Sequence, residues 1–248
     1  MFPSLSIWSV FPETITAMSS SQDSPEPLSE PLPQRPAHIP PSPILTFPLP
    51  HDPTTTLTIR AWFPLDTLHL PPIASNPLIS SRMRNTFPYP YTLQDAHNWV
   101  RHATTSFSDP LTKPTLSNQP LHLNYAILLN GELIGDIGLK PLFDIESETF
   151  EIGYWIAESA WGRGIMTAVV REFITWVWEQ FPTVRRLEAQ LFDFNEQSKR
   201  VLVKNGFVRE GVRREAVVKA GKVWDMEVWG LLRREWTTQV FSISSAES

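Results

Sequence analysis

The segment EIGYWIAESAWGRGIMTAVV, residues 151–170, changes period halfway along. Its first part alternates as a strand. Phe150, Ile152, Tyr154 and Ile156 fall on one face and Glu151 on the other, because strand side chains point to opposite faces in turn. Its second part opens a helix from about Gly164 to Gln180. Met166, Val169, Val170, Phe173, Ile174, Val177 and Phe181 form a broad apolar face, and Arg171, Glu172, Thr175 and Glu179 take the polar side. Between the two lies Gly162-Arg163-Gly164. Helix N-termini present unpaired backbone N–H groups and a partial positive charge. Glycines let a phosphate approach those groups, so the turn reads as a pyrophosphate cradle. A tight strand–helix connection explains the same glycines. The turn is not a Walker loop, since no Gly-Lys-Ser/Thr follows, and it lacks the third glycine of a dinucleotide fingerprint.

A second strand–helix unit follows at short spacing in FDFNEQSKRVLVKNGFVREGVRRE, residues 192–215. The strand is expected over Arg185–Phe192 and the helix over Glu196–Asn205. Asn195 stands where an N-cap belongs, with Ser198 three residues on, and Gly206 is a natural helix-ending residue. A final hairpin turns at Ala220-Gly221. Upstream, TTLTIRAW (55–62) alternates as a strand and Leu93–Ala103 reads as a helix. Before that helix lies the aromatic stretch Phe87-Pro88-Tyr89-Pro90-Tyr91. A hairpin joins Leu123–Leu129 to Glu132–Lys140 through Asn130-Gly131, a favoured type I′ pair. Hairpins combined with a βαβ crossover indicate a mixed α/β sheet.

Thirteen of the 24 prolines fall in residues 1–53. Such a segment, poor in large aliphatic residues, cannot bury enough surface to offset its ordering entropy, so residues 1–53 are expected to be a disordered leader. A docking motif for a proline-binding module is the functional alternative. The folded domain is expected over 54–236, with a tail at 237–248. The first 18 residues lack a basic n-region and are interrupted by Pro3, Pro12 and Glu13, so they do not read as a secretory signal. Met18 offers a second possible start of translation. No stretch is long and apolar enough to span a bilayer, and the chain is expected in the cytoplasm.

The 248 residues are 42% hydrophobic, enough for a sizeable core, with a formal charge of −5. That charge argues against nucleic-acid binding through a basic surface. Cysteine is absent, which excludes disulfides, thiolate metal sites and a cysteine nucleophile. The histidines at 38, 51, 69, 97, 102 and 122 form no HxxxH or HExxH pair, so no metal is expected.

Taken in order, EIGYW, WGRG with a helix behind it, NEQS (195–198) and NGFVREG (205–211) resemble the GNAT superfamily of N-acetyltransferases. The branch most similar is that of ribosomal-protein N-terminal acetyltransferases. The FPYPYT loop and Trp224-Asp225 are also similar, and the resemblance covers about 54–236. It implies a mixed, mostly antiparallel sheet with two splayed central strands flanked by helices. It also implies acetyl-CoA as cosubstrate. The strand backbone at Trp155, Ile156 and Ala157 would hold the pantetheine arm. The N–H groups of Trp161, Gly162, Arg163, Gly164, Ile165, Met166 and Thr167 would hold the pyrophosphate. Asn195 would reach the pantetheine or thioester end, and Lys199, Arg200 or Arg163 the outer phosphate.

Two positions depart from the pattern. Ser159 stands where the superfamily motif usually opens with Gln or Arg. Val203 stands eight residues after Asn195, where many members carry a tyrosine that protonates the departing thiolate. Ser198 is the nearest substitute, matching a serine found in the branch; its plain reading is a first-turn helix residue. Glu151 is the leading general base, with a cross-strand ion pair as its structural reading and Glu210 and Glu215 as runners-up. Phe87, Tyr89, Tyr91 and Trp224 are expected to wall the acceptor site or to be buried packing. The acceptor is a primary amine, either a small molecule or a protein N-terminal α-amine. An α-amine titrates at about 7.7–8.0 and lysine at about 10.4, so the former needs only a weak base. A non-catalytic acyl-CoA-binding module on the same fold is the alternative.

Overall fold

The computed structural model describes residues 41–104 and 122–236. Most of the proline-rich leader and the C-terminal tail lie outside the described residues. Eight strands form one sheet in the order β1-β2-β3-β4-β5-β6-β8-β7. They are β1 Pro43–Leu49, β2 Asp52–Ala61, β3 Asn124–Leu129, β4 Glu132–Pro141, β5 Thr149–Ile156, β6 Arg186–Phe192, β7 Val208–Lys219 and β8 Lys222–Leu232. Every neighbouring pair is antiparallel except β5–β6, the parallel pair joined by the βαβ crossover the sequence implied.

Side-chain alternation divides the core in two. Leu57, Ile59, Ile127, Ile137, Leu139 and Ile152 face helix α4 (Ile165–Gln180), whose Phe173, Ile174 and Val177 are fully buried against the sheet. Helix α5 (Glu196–Lys204) adds Leu202 to the same cluster. On the opposite face Ala126, Leu128 and Trp155 meet α1 (Leu70–Ala74), α2 (Pro77–Ser80) and α3 (Leu93–Thr104) through Leu70, Ile79, Ala96 and Val100. Each fully buried Leu, Ile, Val or Phe among them contributes about 1.5–3 kcal/mol of transfer free energy. No helix among the described residues is long and apolar enough to cross a membrane.

The sheet starts at Pro43, not near Thr54. Strand β1 lies inside the stretch expected to be leader; Leu49 is buried, and Ile44, Leu45 and Phe47 pack on the main core. Proline masked this strand in the sequence. Proline removes a ladder donor, yet an edge strand tolerates it, and β1 is an edge.

Strands β5 and β6 pair only at Thr149↔Arg186, Phe150↔Leu187 and Glu151↔Glu188. Beyond Glu151 no register joins them, so the sheet splits, as the family resemblance implied.

Candidate acyl-transfer site

The split is the floor of a cavity of about 300 Å³ running from the Gly162–Gly164 turn to the start of α5. Gly162 and Gly164 have φ of 73° and 74°, a left-handed conformation that explains the glycines. A Cβ at either would meet nothing within 4 Å, so the ground above the turn is open. Gly164 is the N-cap of α4, and no side chain caps the helix. The first-turn N–H groups of Ile165, Met166 and Thr167 therefore have no intrahelical acceptor. Asn205 fixes this helix start against α5: its Nδ2 donates to Val201 O at 2.9 Å and to Thr167 O at 3.3 Å.

Backbone direction along β5 corrects part of the expected arm-binding set. Arg186 N–H donates to Glu148 O at 3.3 Å, and Ala157 N–H donates to Ile134 O at 2.7 Å. Successive strand residues turn their backbone groups to alternate sides, so Tyr154 and Ile156 face the split, whereas Trp155 and Ala157 face β4. The Ala157 N–H is spent on β4, and its carbonyl accepts Ala160 N–H in the turn that follows the strand. Ile156 O accepts Trp161 Nε1 at 2.9 Å and keeps a second lone pair.

The expected cations are also rearranged. Lys199 Nζ lies 2.8 Å from Glu196 Oε1 and 3.2 Å from Glu227 Oε1 and does not border the cavity. Arg163 is exposed and does not border it either. Arg200 and Lys204 do. An apolar trough, an uncapped helix start with two open glycines, and two cations together fit a long thiol ester ending in a pyrophosphate.

At the first turn of α5 the trough meets a smaller cavity that shares Tyr154, Asn195 and Ser198 with it. This second space leads into a polar groove of about 550 Å³ bordered by Arg84, Lys140, Glu151, Glu188, Gln190 and Arg213. The groove is bridged where Asn85 Nδ2 donates to Val218 O at 3.3 Å.

Glu151 is buried where the second cavity and the groove meet. Its Oε1 is 3.2 Å from Arg84 and its Oε2 is 3.8 Å from Lys140, its register partner on β4. It is thus both the cross-strand ion pair and a carboxylate on the groove. Burial pulls the Lys140 ammonium down, and Glu151 opposes that shift. Asn195 caps α5 by accepting Ser198 N–H at 3.3 Å. Ser198 Oγ lies 2.9 Å from the Tyr154 hydroxyl.

The runners-up fall away. Glu210 grips Arg186 at 2.6 Å through both oxygens, and Glu215 sits exposed at a φ of 52°. None of the four aromatic candidates borders the second cavity or the groove. Phe87 and Tyr91 are buried, Phe87 packing on both Tyr91 and Trp155. Tyr89 is exposed, and Trp224 lies on Phe194 with ring centroids 4.4 Å apart. Sequence reasoning missed Arg84, Gln190 and Tyr154. Gln190 alternates with buried Ala189 and Leu191 on β6, and that signal was available.

Among the described residues no group of three or more His, Asp or Glu side chains is placed to hold a metal. The profile of the acetyltransferase (GNAT) domain family matches residues 56–208, and the chain belongs to that family. YdaF of Bacillus subtilis, provisionally named a ribosomal N-acetyltransferase, is 36% identical over 110 residues, 44% of this chain and 59% of its own. The ribosomal-protein-serine acetyltransferase of Escherichia coli is 30% identical over 129 residues, 50% of this chain and 70% of its own. The chain spans 56–66% of the length of the Bacillus subtilis relatives it matches. Among solved structures, Mycobacterium smegmatis RimJ in complex with CoA-disulfide shares the fold. Its TM-score is 0.61 at 18% identity, over 82% of this chain and 91% of RimJ.

Proposed function

We propose that this chain is an N-acetyltransferase that moves an acetyl group from acetyl-CoA to a primary amine by direct attack on the thioester. The observation that carries the reading is the junction of an apolar trough and a polar groove at the β5–β6 split, with Tyr154, Asn195 and Ser198 common to the trough and the space leading to the groove. In this reading the helix start at Gly164–Thr167 binds the pyrophosphate, Arg200 and Lys204 the outer phosphate, and the backbone of Tyr154 and Ile156 the pantetheine arm. The bound thioester supplies the activated acetyl group.

The remaining work is positioning. Two reactants held in register react as if at very high concentration, which removes much of the barrier. Asn195 fixes the first turn of α5, and Ser198 hydrogen-bonds the sulfur as negative charge develops on it. Glu151 borders the groove and takes the amine's proton directly or through one water. With Arg84 and Lys140 already on that carboxylate, an acceptor that is partly neutral near pH 7 suits it best. We therefore favour an α-amine over a lysine side chain. The name of the Escherichia coli relative makes a protein the first acceptor class to test.

The test is thiol release from acetyl-CoA across a panel of N-terminal peptides, free amino acids and small amines, with mass spectrometry of the product. Acetylated product supports the reading. Acetyl-CoA binding with no turnover on any acceptor overturns it in favour of a non-catalytic acyl-CoA-binding module.

A further inference from the structure

Helix α5 offers no phenol to the site. Val203, at the position where many GNAT proteins carry a tyrosine, is 58% exposed and borders neither the trough nor the space beyond it. A phenol arrives from β5 instead. Tyr154 projects from the helix-facing side of the strand where β6 has already diverged, and its hydroxyl reaches Ser198 Oγ at 2.9 Å. Both side chains border the trough and the space leading to the groove. The serine's backbone is held separately, by Asn195.

A serine hydroxyl has one hydrogen and rotates freely unless a partner fixes it. Tyr154 is the side-chain partner the structure gives it. Resting on the acetyl-transfer reading above, we propose that Tyr154 is a positioning residue: its phenol donates to Ser198 Oγ and thereby turns the serine's own O–H toward the departing sulfur. In the step it serves, the amide C–N bond forms and the thioester C–S bond breaks. The C–S electron pair stays on sulfur, which Ser198 hydrogen-bonds, and the proton lost by the nitrogen reaches sulfur through solvent as free thiol. Burial pushes the Tyr154 phenol up, against a smaller opposing effect of the Ser198 hydrogen bond, so the donor persists at any pH useful for the assay.

The experiment is a double-mutant cycle on the full chain, with Tyr154→Phe, Ser198→Ala and the pair, read as single-turnover rate and as KM for acetyl-CoA. Tyr154→Phe keeps the ring and removes only the hydroxyl. It should slow the acyl-transfer rate about tenfold, the rate equivalent of one neutral hydrogen bond, with KM nearly unchanged. Ser198→Ala should slow it about 100-fold, as for a donor aimed at developing charge. The double variant should match Ser198→Ala within about twofold, because the phenol acts through the serine. A full rate in Tyr154→Phe, or a double variant whose loss is the product of the two single losses, overturns the proposal while leaving acetyl transfer standing. Wild-type protein that acetylates no amine overturns both.

Discussion

Asp136 is where the stability of this fold should respond most steeply to pH. The carboxyl is fully buried on β4, with Oδ2 accepting Trp62 Nε1 at 2.8 Å and Oδ1 without a hydrogen-bond partner among the described residues. Burial pushes it up to about 8, against a smaller lowering by the Trp62 bond. In the unfolded chain an aspartate titrates at about 3.9. The folded value is the raised one, so between about pH 4 and pH 8 the folded state holds a proton that the unfolded state releases. Stability therefore falls as pH rises through that window and levels off above it. The slope is about 1.4 kcal/mol per pH unit, or ~2.7 kcal/mol between pH 5 and pH 7. Asp136→Asn removes the titration and keeps an oxygen for Trp62. Burial lowers His102 and His122, which tilts the wild-type curve the other way, so the difference between the two proteins is the quantity to measure. Urea unfolding at pH 5, 6 and 7 should show the variant gaining about 2–3 kcal/mol on wild type across that range. A difference that stays constant with pH would refute the reasoning.

The remaining expectations concern the site and the sheet edge. Gly164→Val should weaken acetyl-CoA binding at least about tenfold by calorimetric titration. It should cost only ~1–2 kcal/mol of stability, since a Cβ there meets no protein atom within 4 Å and the left-handed φ sets the cost. Removing residues 1–40 should leave the melting temperature nearly unchanged. Removing 1–50 should cost at least ~3 kcal/mol, because it deletes β1 with Leu49, Phe47, Leu45 and Ile44 and bares β2 as a new edge. Glu151→Gln should lower kcat/KM at pH 7 by about 10²-fold, and by less at alkaline pH where the acceptor amine is already neutral; an unchanged kcat/KM at pH 7 would leave water as the base.

Elements built on a clear period were readable in advance. The α4 stripe, the Asn130-Gly131 hairpin and the strand–turn–helix at Gly162–Gly164 lie within one or two residues of where the sequence puts them. Features that depend on partners distant in sequence were not. β1 hides among prolines because only the neighbouring β2 makes PILTFPL a strand. Lys199 looks like a phosphate ligand until Glu227, across the sheet on β8, claims it. Phe87 and Tyr91 look like pocket walls until Trp155 packs with them on the α1–α3 side. Alternation assigned Tyr154 to the helix-facing side of β5 correctly. That this side is hollow at its depth follows from the split, and no local pattern in EIGYW encodes the divergence of β6.

The three register pairs that join β5 to β6 make the middle of the sheet its weakest seam. Between inner strands the ladder normally satisfies the backbone polar groups; along Tyr154 and Ile156 no β6 partner does so, and only Ile156 O has a recorded bond on that side, from Trp161 Nε1. A pantetheine arm laid in the seam would act as a rung between the two leaves, and protein saturated with donor at about 100 times Kd would gain ~2.7 kcal/mol. Amide hydrogen exchange at Tyr154 and Ile156 should slow on adding acetyl-CoA, more than at β2 or β3. The same coupling would tie the lifetime of the chain to its metabolite supply. Unliganded protein should therefore be cut by a protease faster than protein saturated with acetyl-CoA.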